Sequence, residues 1–161
     1  MKIGIIGAGY VGLTTAICLA SLKHEIILFD INKEKIKQIQ EKKLPFYENG
    51  LQEILENVLF SGNLIPTDNL NELVKKTDGC FICVGTPTKN KSIDLSQIID
   101  SVESLIKSLR ENDKENYEII IRSTVVPNTC KNKIMPIIEN NASKLNLRLS
   151  MVQEFLREGN A

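Results

Sequence analysis

The 161-residue chain has no tryptophan, a single histidine and no tract of like charge; its twenty basic and twenty acidic side chains cancel to a formal net charge of zero. A lone histidine, His24, excludes a histidine-rich metal centre, and no metal is expected. Aromatics make up only 5% of residues and are not interleaved with arginine, which excludes a nucleic-acid footprint. The four cysteines do not form a disulfide framework. Cys18 falls in a helical segment, Cys80 and Cys83 share an apolar strand, and Cys130 follows a proline-containing turn. Cys80-Phe-Ile-Cys83 has redox-pair spacing, but residues three apart on a strand point to opposite faces. These thiols are therefore expected to be small buried apolar groups. Low-complexity segments and strong targeting signals are also missing, and the expected compartment is the cytoplasm. Without disulfides or metal, the length still suffices for one domain with a real core.

What is present is concentrated in the first thirty residues. A short apolar run, Lys2-Ile-Gly-Ile-Ile6, leads into Gly7-Ala-Gly-Tyr-Val-Gly12, and a second, Glu25-Ile-Ile-Leu-Phe29, ends on Asp30. This is a dinucleotide fingerprint. Gly7 permits a tight strand-to-helix turn, Gly9 lets backbone approach a pyrophosphate, and Gly12 lets helix and strand pack closely. The helix then points its first N–H groups at the phosphates. Asp30 is spaced to accept hydrogen bonds from the adenosine ribose, and its charge repels a 2′-phosphate, favouring NAD over NADP. Lys33 and Lys35 soften that preference. Residues 3 to 22 carry no charge and are flanked by Lys2 and Lys23, as in a signal peptide or membrane span. Four glycines and two threonines inside the run argue against both, and no membrane association is expected.

Strand-like and helix-like patterns alternate along the whole chain, predicting an α/β fold with a mainly parallel sheet and helices on both faces. Strands are expected near 2 to 6, 25 to 30, 63 to 66, 79 to 84, 117 to 123 and 147 to 152. Helices are expected near 10 to 22, 33 to 42, 50 to 60, 69 to 76, 95 to 110 and 129 to 143. Asn69 and Asp94 read as helix caps, and Leu95, Ile98, Ile99, Val102, Leu105, Ile106 and Leu109 form an apolar stripe facing the core. Residues 44 to 50 read as a loop, and 113 to 116 as a polar turn. Three polar segments follow strands: Gly85-Thr-Pro-Thr88, Ser123-Thr-Val-Val-Pro127 and Glu154-Phe-Leu-Arg-Glu158. Ligands collect at the carboxyl ends of strands in open α/β sheets, so these segments and the glycine turn should share one crevice.

In this order the motifs Gly7-Ala-Gly-Tyr-Val-Gly-Leu13, Asp30, Phe81-Ile-Cys-Val-Gly-Thr-Pro87, Asp94-Leu-Ser96, Arg122-Ser-Thr-Val125 and Glu154-Phe-Leu-Arg-Glu-Gly159 resemble the NAD-binding domain of the UDP-glucose/GDP-mannose dehydrogenase family. The resemblance covers nearly the whole chain and implies a doubly wound, Rossmann-type domain over 1–161 that binds NAD. It implies that Gly7, Gly9, Tyr10, Val11 and Gly12 form the cofactor turn, and that Asp30 and Lys35 bind the adenosine end. Thr86 and Thr124 are then expected near the nicotinamide half, with Thr124 also holding a water near the reacting sugar carbon. Glu158 matches a glutamate near the nicotinamide and the acyl intermediate, and Glu154 one used in acid/base work. Glu154, Phe155, Leu156, Arg157 and Glu158 would touch a nucleotide sugar of the UDP-glucose or GDP-mannose class. The implied reaction oxidises the sugar C6 alcohol to a carboxylate in two hydride transfers, the second through a covalent adduct.

Two positions depart from the family pattern. Asn128 follows Pro127 where the family has glycine; asparagine tolerates left-handed backbone, so the turn is expected to persist. Val152-Gln153 stands where the family commonly has Asn-Pro, which bears on the path of Glu154 to Glu158. The family's nucleophilic cysteine, with a lysine and an asparagine, lies in a second domain beyond a central helix, and none of Cys18, Cys80, Cys83 or Cys130 sits in such a segment. The expectation is an N-terminal domain of a longer dehydrogenase, inactive alone, whose full-length form is a homodimer or larger. The alternatives are a stand-alone, non-catalytic NAD-binding module and a β-hydroxyacid-type dehydrogenase. The latter leaves Thr86, Thr124 and Glu154 to Glu158 without a role.

Overall fold

The computed structural model describes residues 1–89, 91–142, 145–156 and 159. Along the chain it forms β1 (Lys2–Ile6), α1 (Tyr10–Ser21), β2 (Glu25–Phe29), α2 (Lys33–Gln40), α3 (Leu51–Phe60), β3 (Leu64–Thr67), α4 (Leu70–Lys76) and β4 (Gly79–Ile82). A small hairpin follows, β5 (Thr88–Lys89) with β6 (Ser92–Ile93), then α5 (Ser96–Glu111) and β7 (Asn116–Ile121). A π-helical segment (Cys130–Ile134), α6 (Met135–Asn141) and β8 (Asn146–Met151) complete it.

Six strands pair in parallel in the order β3-β2-β1-β4-β7-β8. After β1 the chain builds outward through β2 and β3, then returns to place β4 on the other side of β1. That reversal opens a crevice beyond the carboxyl ends of β1 and β4, where such sheets bind ligands.

Both faces of the sheet are covered, so its strands are apolar in both directions. Ile5, Ile26 and Leu28 join one core cluster with Leu13 and Ile17 of α1 and Leu55 of α3. Ile6, Ile27 and Phe29 join the other, with Leu73 of α4, Val102 and Leu105 of α5, and Ile138 of α6. Consecutive residues alternate between the clusters because strand side chains have period two. The same rule separates Cys80 from Cys83, which pack into opposite clusters as the spacing predicts.

The predicted elements are present, with ends shifted by a residue or two, and three details differ. The helix predicted over 129 to 143 opens as a π-helical turn before α6. Pro136 supplies the reason: it has no N–H to give the preceding turn, so the regular α-helical ladder cannot run through it. The hairpin of β5 and β6 is not among the expected strands; each strand is only two residues, too short for a pattern to show. Asp94 caps α5 from one position earlier than a strict N-cap, accepting from Ser96 N–H at 3.0 Å. Asn69 caps α4 as expected, accepting from Asn71 N–H at 3.0 Å, and Asn128 takes the left-handed conformation at φ 67°.

Candidate functional site

β1 ends one residue before Gly7, whose φ of +102° lies where side chains are rarely tolerated. Gly7 N–H donates to the Phe29 carbonyl at 2.8 Å, and Cys83 N–H to the Ile6 carbonyl at 2.8 Å, so the turn is sewn between its two neighbouring strands. A Cβ on Gly12 would lie 1.9 Å from the Gly7 carbonyl oxygen, so this glycine is required for α1 to start against the turn. Gly9 differs: a Cβ there would meet nothing within 4 Å. It borders the open crevice, and its lack of a side chain matters only for something that comes in from outside. Gly9 is also the N-cap of α1 and provides no side-chain cap, and the first turn holds no acid. The helix start is thus left for an anion.

Asp30 sits at the tip of β2, 8% exposed. Its Oδ2 accepts from Ala8 N–H at 2.8 Å and from Lys35 Nζ at 3.1 Å, and its Oδ1 accepts from Asn32 N–H at 2.9 Å. A carboxylate offers about four acceptor positions, so little more than one remains for a ligand hydroxyl. Two of the three donors are backbone and fixed. The third, the Lys35 ammonium, is on a flexible stem and can turn aside.

A cleft of about 610 Å³ joins these features, with Gly7, Gly9, Asp30 and Lys35 in its wall. Its far side is α5, through Gln97, Asp100, Ser101 and Ser104. Sequence reading missed this polar face, although the spacing of 97, 100, 101 and 104 is helical and lies opposite the apolar stripe. Gln97 reaches the β4 exit, where its Oε1 lies 3.3 Å from the place a Cβ on Gly85 would occupy.

The remaining predicted residues that the structure describes do not line this cleft. Val11 packs against the α1-side core, and the Tyr10 ring is turned toward that of Phe46, their centroids 5.0 Å apart at 62°, so neither side chain lines the cleft. Thr86 Oγ1 donates to the Thr124 carbonyl at 2.8 Å, drawing the β4 and β7 exits together. Ser123 Oγ braces the same junction by donating to the Val84 carbonyl at 2.7 Å. Glu154 is half-buried beyond β8, where its carboxylate accepts from Leu156 N–H. Phe155 is exposed, and Leu156 is half-buried. Arg157 and Glu158 lie outside the described residues.

None of the thiols is set up as a nucleophile. Burial pushes the Cys83 thiol up to about 12, the nearby Arg122 charge opposing this only in part. Burial raises Cys80 further, and desolvation also raises Cys18 and Cys130. Each therefore stays protonated near neutral pH. Among the described residues no cluster of three or more His, Cys, Asp or Glu is arranged to hold a metal, and no helix is long and apolar enough to cross a membrane.

The open approach at Gly9, the uncapped helix start and the bonded acid at the tip of β2 together fit a dinucleotide. Comparison with known proteins agrees. The model of the UDP-glucose/GDP-mannose dehydrogenase family, NAD binding domain, matches residues 1–161. GDP-mannose 6-dehydrogenase of Azotobacter vinelandii is 37% identical over 165 residues, covering 100% of this chain and 38% of that protein. A putative UDP-glucose 6-dehydrogenase of Bacillus subtilis is 38% identical over 161 residues, covering 100% of this chain and 36% of the relative. Among solved structures, a ternary complex of GDP-mannose dehydrogenase from Pseudomonas aeruginosa superposes with a TM-score of 0.93 at 36% identity, over 99% of this chain and 37% of that one. The chain thus spans little more than a third of the length of these relatives. With family match, fold and glycine turn in agreement, the chain belongs to the UDP-glucose/GDP-mannose dehydrogenase family as its NAD-binding domain.

Proposed function

We propose that this chain is the cofactor half of a nucleotide-sugar 6-dehydrogenase, taking a sugar of the UDP-glucose or GDP-mannose class from alcohol to carboxylate. The observation that carries the reading is the pairing of an open Gly9 with the bonded Asp30 across one cleft. NAD, when bound, supplies the hydride acceptor. The turn from Gly7 to Gly12 holds the pyrophosphate through backbone N–H groups of Gly9, Tyr10 and Val11. Asp30 accepts from the adenosine ribose as Lys35 yields a position on its carboxylate.

The rest of the site follows the strand exits. Thr86 and Thr124 border the nicotinamide end, and Thr124 orders a water for hydrolysis of the covalent adduct. Glu154 serves acid/base steps, Glu158 acts beside the nicotinamide and the acyl intermediate, and the stretch Glu154, Phe155, Leu156, Arg157 and Glu158 contacts the sugar nucleotide. The covalent step needs a thiolate that these four raised thiols do not provide. The nucleophile belongs to a second domain of the full-length enzyme, which acts in the cytoplasm as a homodimer or larger assembly.

Calorimetric titration with NAD and NADP tests the cofactor assignment, with NAD expected to bind at least tenfold more tightly. Incubation with NAD and either UDP-glucose or GDP-mannose tests the division of labour. No sustained NADH absorbance is expected from the 161 residues, and steady turnover would overturn the assignment of the nucleophile to another domain.

A further inference from the structure

Glu48 is a nearly buried acid, 6% exposed, in the loop between α2 and α3. A carboxylate withdrawn from water in this way is costly unless strong donors reach it. Among the described residues, Tyr10 Oη donates to Glu48 Oε2 at 2.6 Å, and Gly159 N–H donates to the same oxygen at 2.8 Å.

These donors come from opposite ends of the chain. Tyr10 is the first residue of α1, immediately after the open Gly9, and its ring is held edge-on against Phe46 of the Glu48 loop. Gly159 lies past β8, five residues beyond Glu154, in a left-handed conformation at φ 84°. One oxygen thus joins the glycine turn to the backbone of Gly159.

We propose that Glu48 is a positioning residue: it holds the backbone of Gly159 in register with the glycine turn, so that filling the turn steadies Gly159. The proposal rests on the dinucleotide reading of the turn. A ligand bonded to the amides around Tyr10 restricts the backbone that carries its hydroxyl. Restriction of Tyr10 Oη fixes Glu48, and Glu48 fixes Gly159. Coupling of this kind is reciprocal, so steadying Gly159 also favours the ligand.

Hydrogen exchange read by mass spectrometry on the 161-residue chain, with and without saturating NAD, tests the proposal. In the wild type, NAD should slow exchange at least threefold both in a peptide spanning the glycine turn and in the peptide from Val152 to the end. Glu48→Ala should abolish the C-terminal effect while NAD still slows exchange at the turn. Glu48→Gln keeps an acceptor oxygen and should retain part of it. Tyr10→Phe removes only the hydroxyl and should also abolish the C-terminal effect, which keeps the test decisive if Glu48→Ala fails to fold. A role confined to stability would instead raise exchange across β1, β4 and β7 alike, independently of NAD, and would overturn the proposal. So would a C-terminal effect that persists in Tyr10→Phe. Absence of NAD protection at the wild-type turn would overturn the cofactor reading itself.

Discussion

Gly7 and Gly12 are in mutual backbone contact: the Gly7 carbonyl oxygen occupies the space that a Cβ on Gly12 would need, at 1.9 Å. Relief requires moving backbone, since neither partner has a side chain to swing aside. Gly12→Ala should therefore destabilise the domain by about 3 kcal/mol, the upper range for overpacking, seen as a fall of roughly 10 °C in the thermal midpoint. Circular dichroism melting without cofactor is the measurement.

Gly9 gives the opposite expectation, although it belongs to the same motif. Its Cβ would enter open space and its φ of −74° is ordinary, so Gly9→Ala should leave the melting midpoint within a few degrees of wild type. The methyl instead intrudes where a pyrophosphate approaches, and NAD affinity should fall at least tenfold, a loss of about 1.4 kcal/mol. Melting and NAD titration on the two variants separate the glycine that builds the turn from the glycine that admits the ligand. Equal NAD affinity in Gly9→Ala and wild type would remove the pyrophosphate from this position.

That contrast shows what the sequence pattern can carry. Glycine spacing identified the turn and gave Gly7, Gly9 and Gly12 their duties as members of a motif, but not the atoms that make each duty necessary. Their separate duties depend on what stands opposite each of them, and Cys83, against Gly7 and Gly12, is some seventy residues away in the chain. The succession of strands and helices, the covering of both faces and the burial of Cys80 and Cys83 were legible because period-two and helical patterns report directly on which side faces a core. The polar face of α5 and the buried Glu48 were not. Both consist of ordinary surface residue types, and only tertiary contact turns Gln97 toward the β4 exit or draws Tyr10 and Gly159 onto one carboxylate.

Asp30 and Lys35 form an ion pair at the tip of β2, and the proposed ribose contact makes cofactor choice depend on both. The ammonium is 3.1 Å from the carboxylate, and Lys33 stands two residues earlier on the same helix. Asp30→Ser removes the charge that opposes a 2′-phosphate and releases Lys35 to bind one. The ratio of NAD to NADP affinity should fall at least tenfold. Adding Lys35→Ala should withdraw the gain in NADP binding without restoring NAD. Titration of both cofactors against the single and double variants checks this, and an unchanged ratio in Asp30→Ser would exclude Asp30 from the ribose end.

Alkaline pH should weaken the fold through groups buried in its core. Tyr117 Oη is hydrogen-bonded to Thr77 Oγ1 at 2.6 Å, and the two are buried. Burial raises the Tyr117 phenol above its ordinary value, with the neighbouring Cys80 thiol pushing the same way, and burial likewise raises Cys80 and brings Cys83 to about 12. All three are neutral acids whose pKa is higher folded than unfolded. Their contribution is therefore complete below the unfolded values, about 8.5 for a thiol and 10 for a phenol, and is lost as pH rises past them. Each buried thiol costs up to about 1.4 kcal/mol for every pH unit above 8.5. Urea midpoints under reducing conditions should hold steady from pH 7 to 8 and then fall progressively to pH 10.5. Cys80→Ala should make that decline shallower whatever its effect at pH 7, because the alanine has no proton to lose. A decline equally steep in Cys80→Ala would assign the alkaline loss to groups other than this thiol.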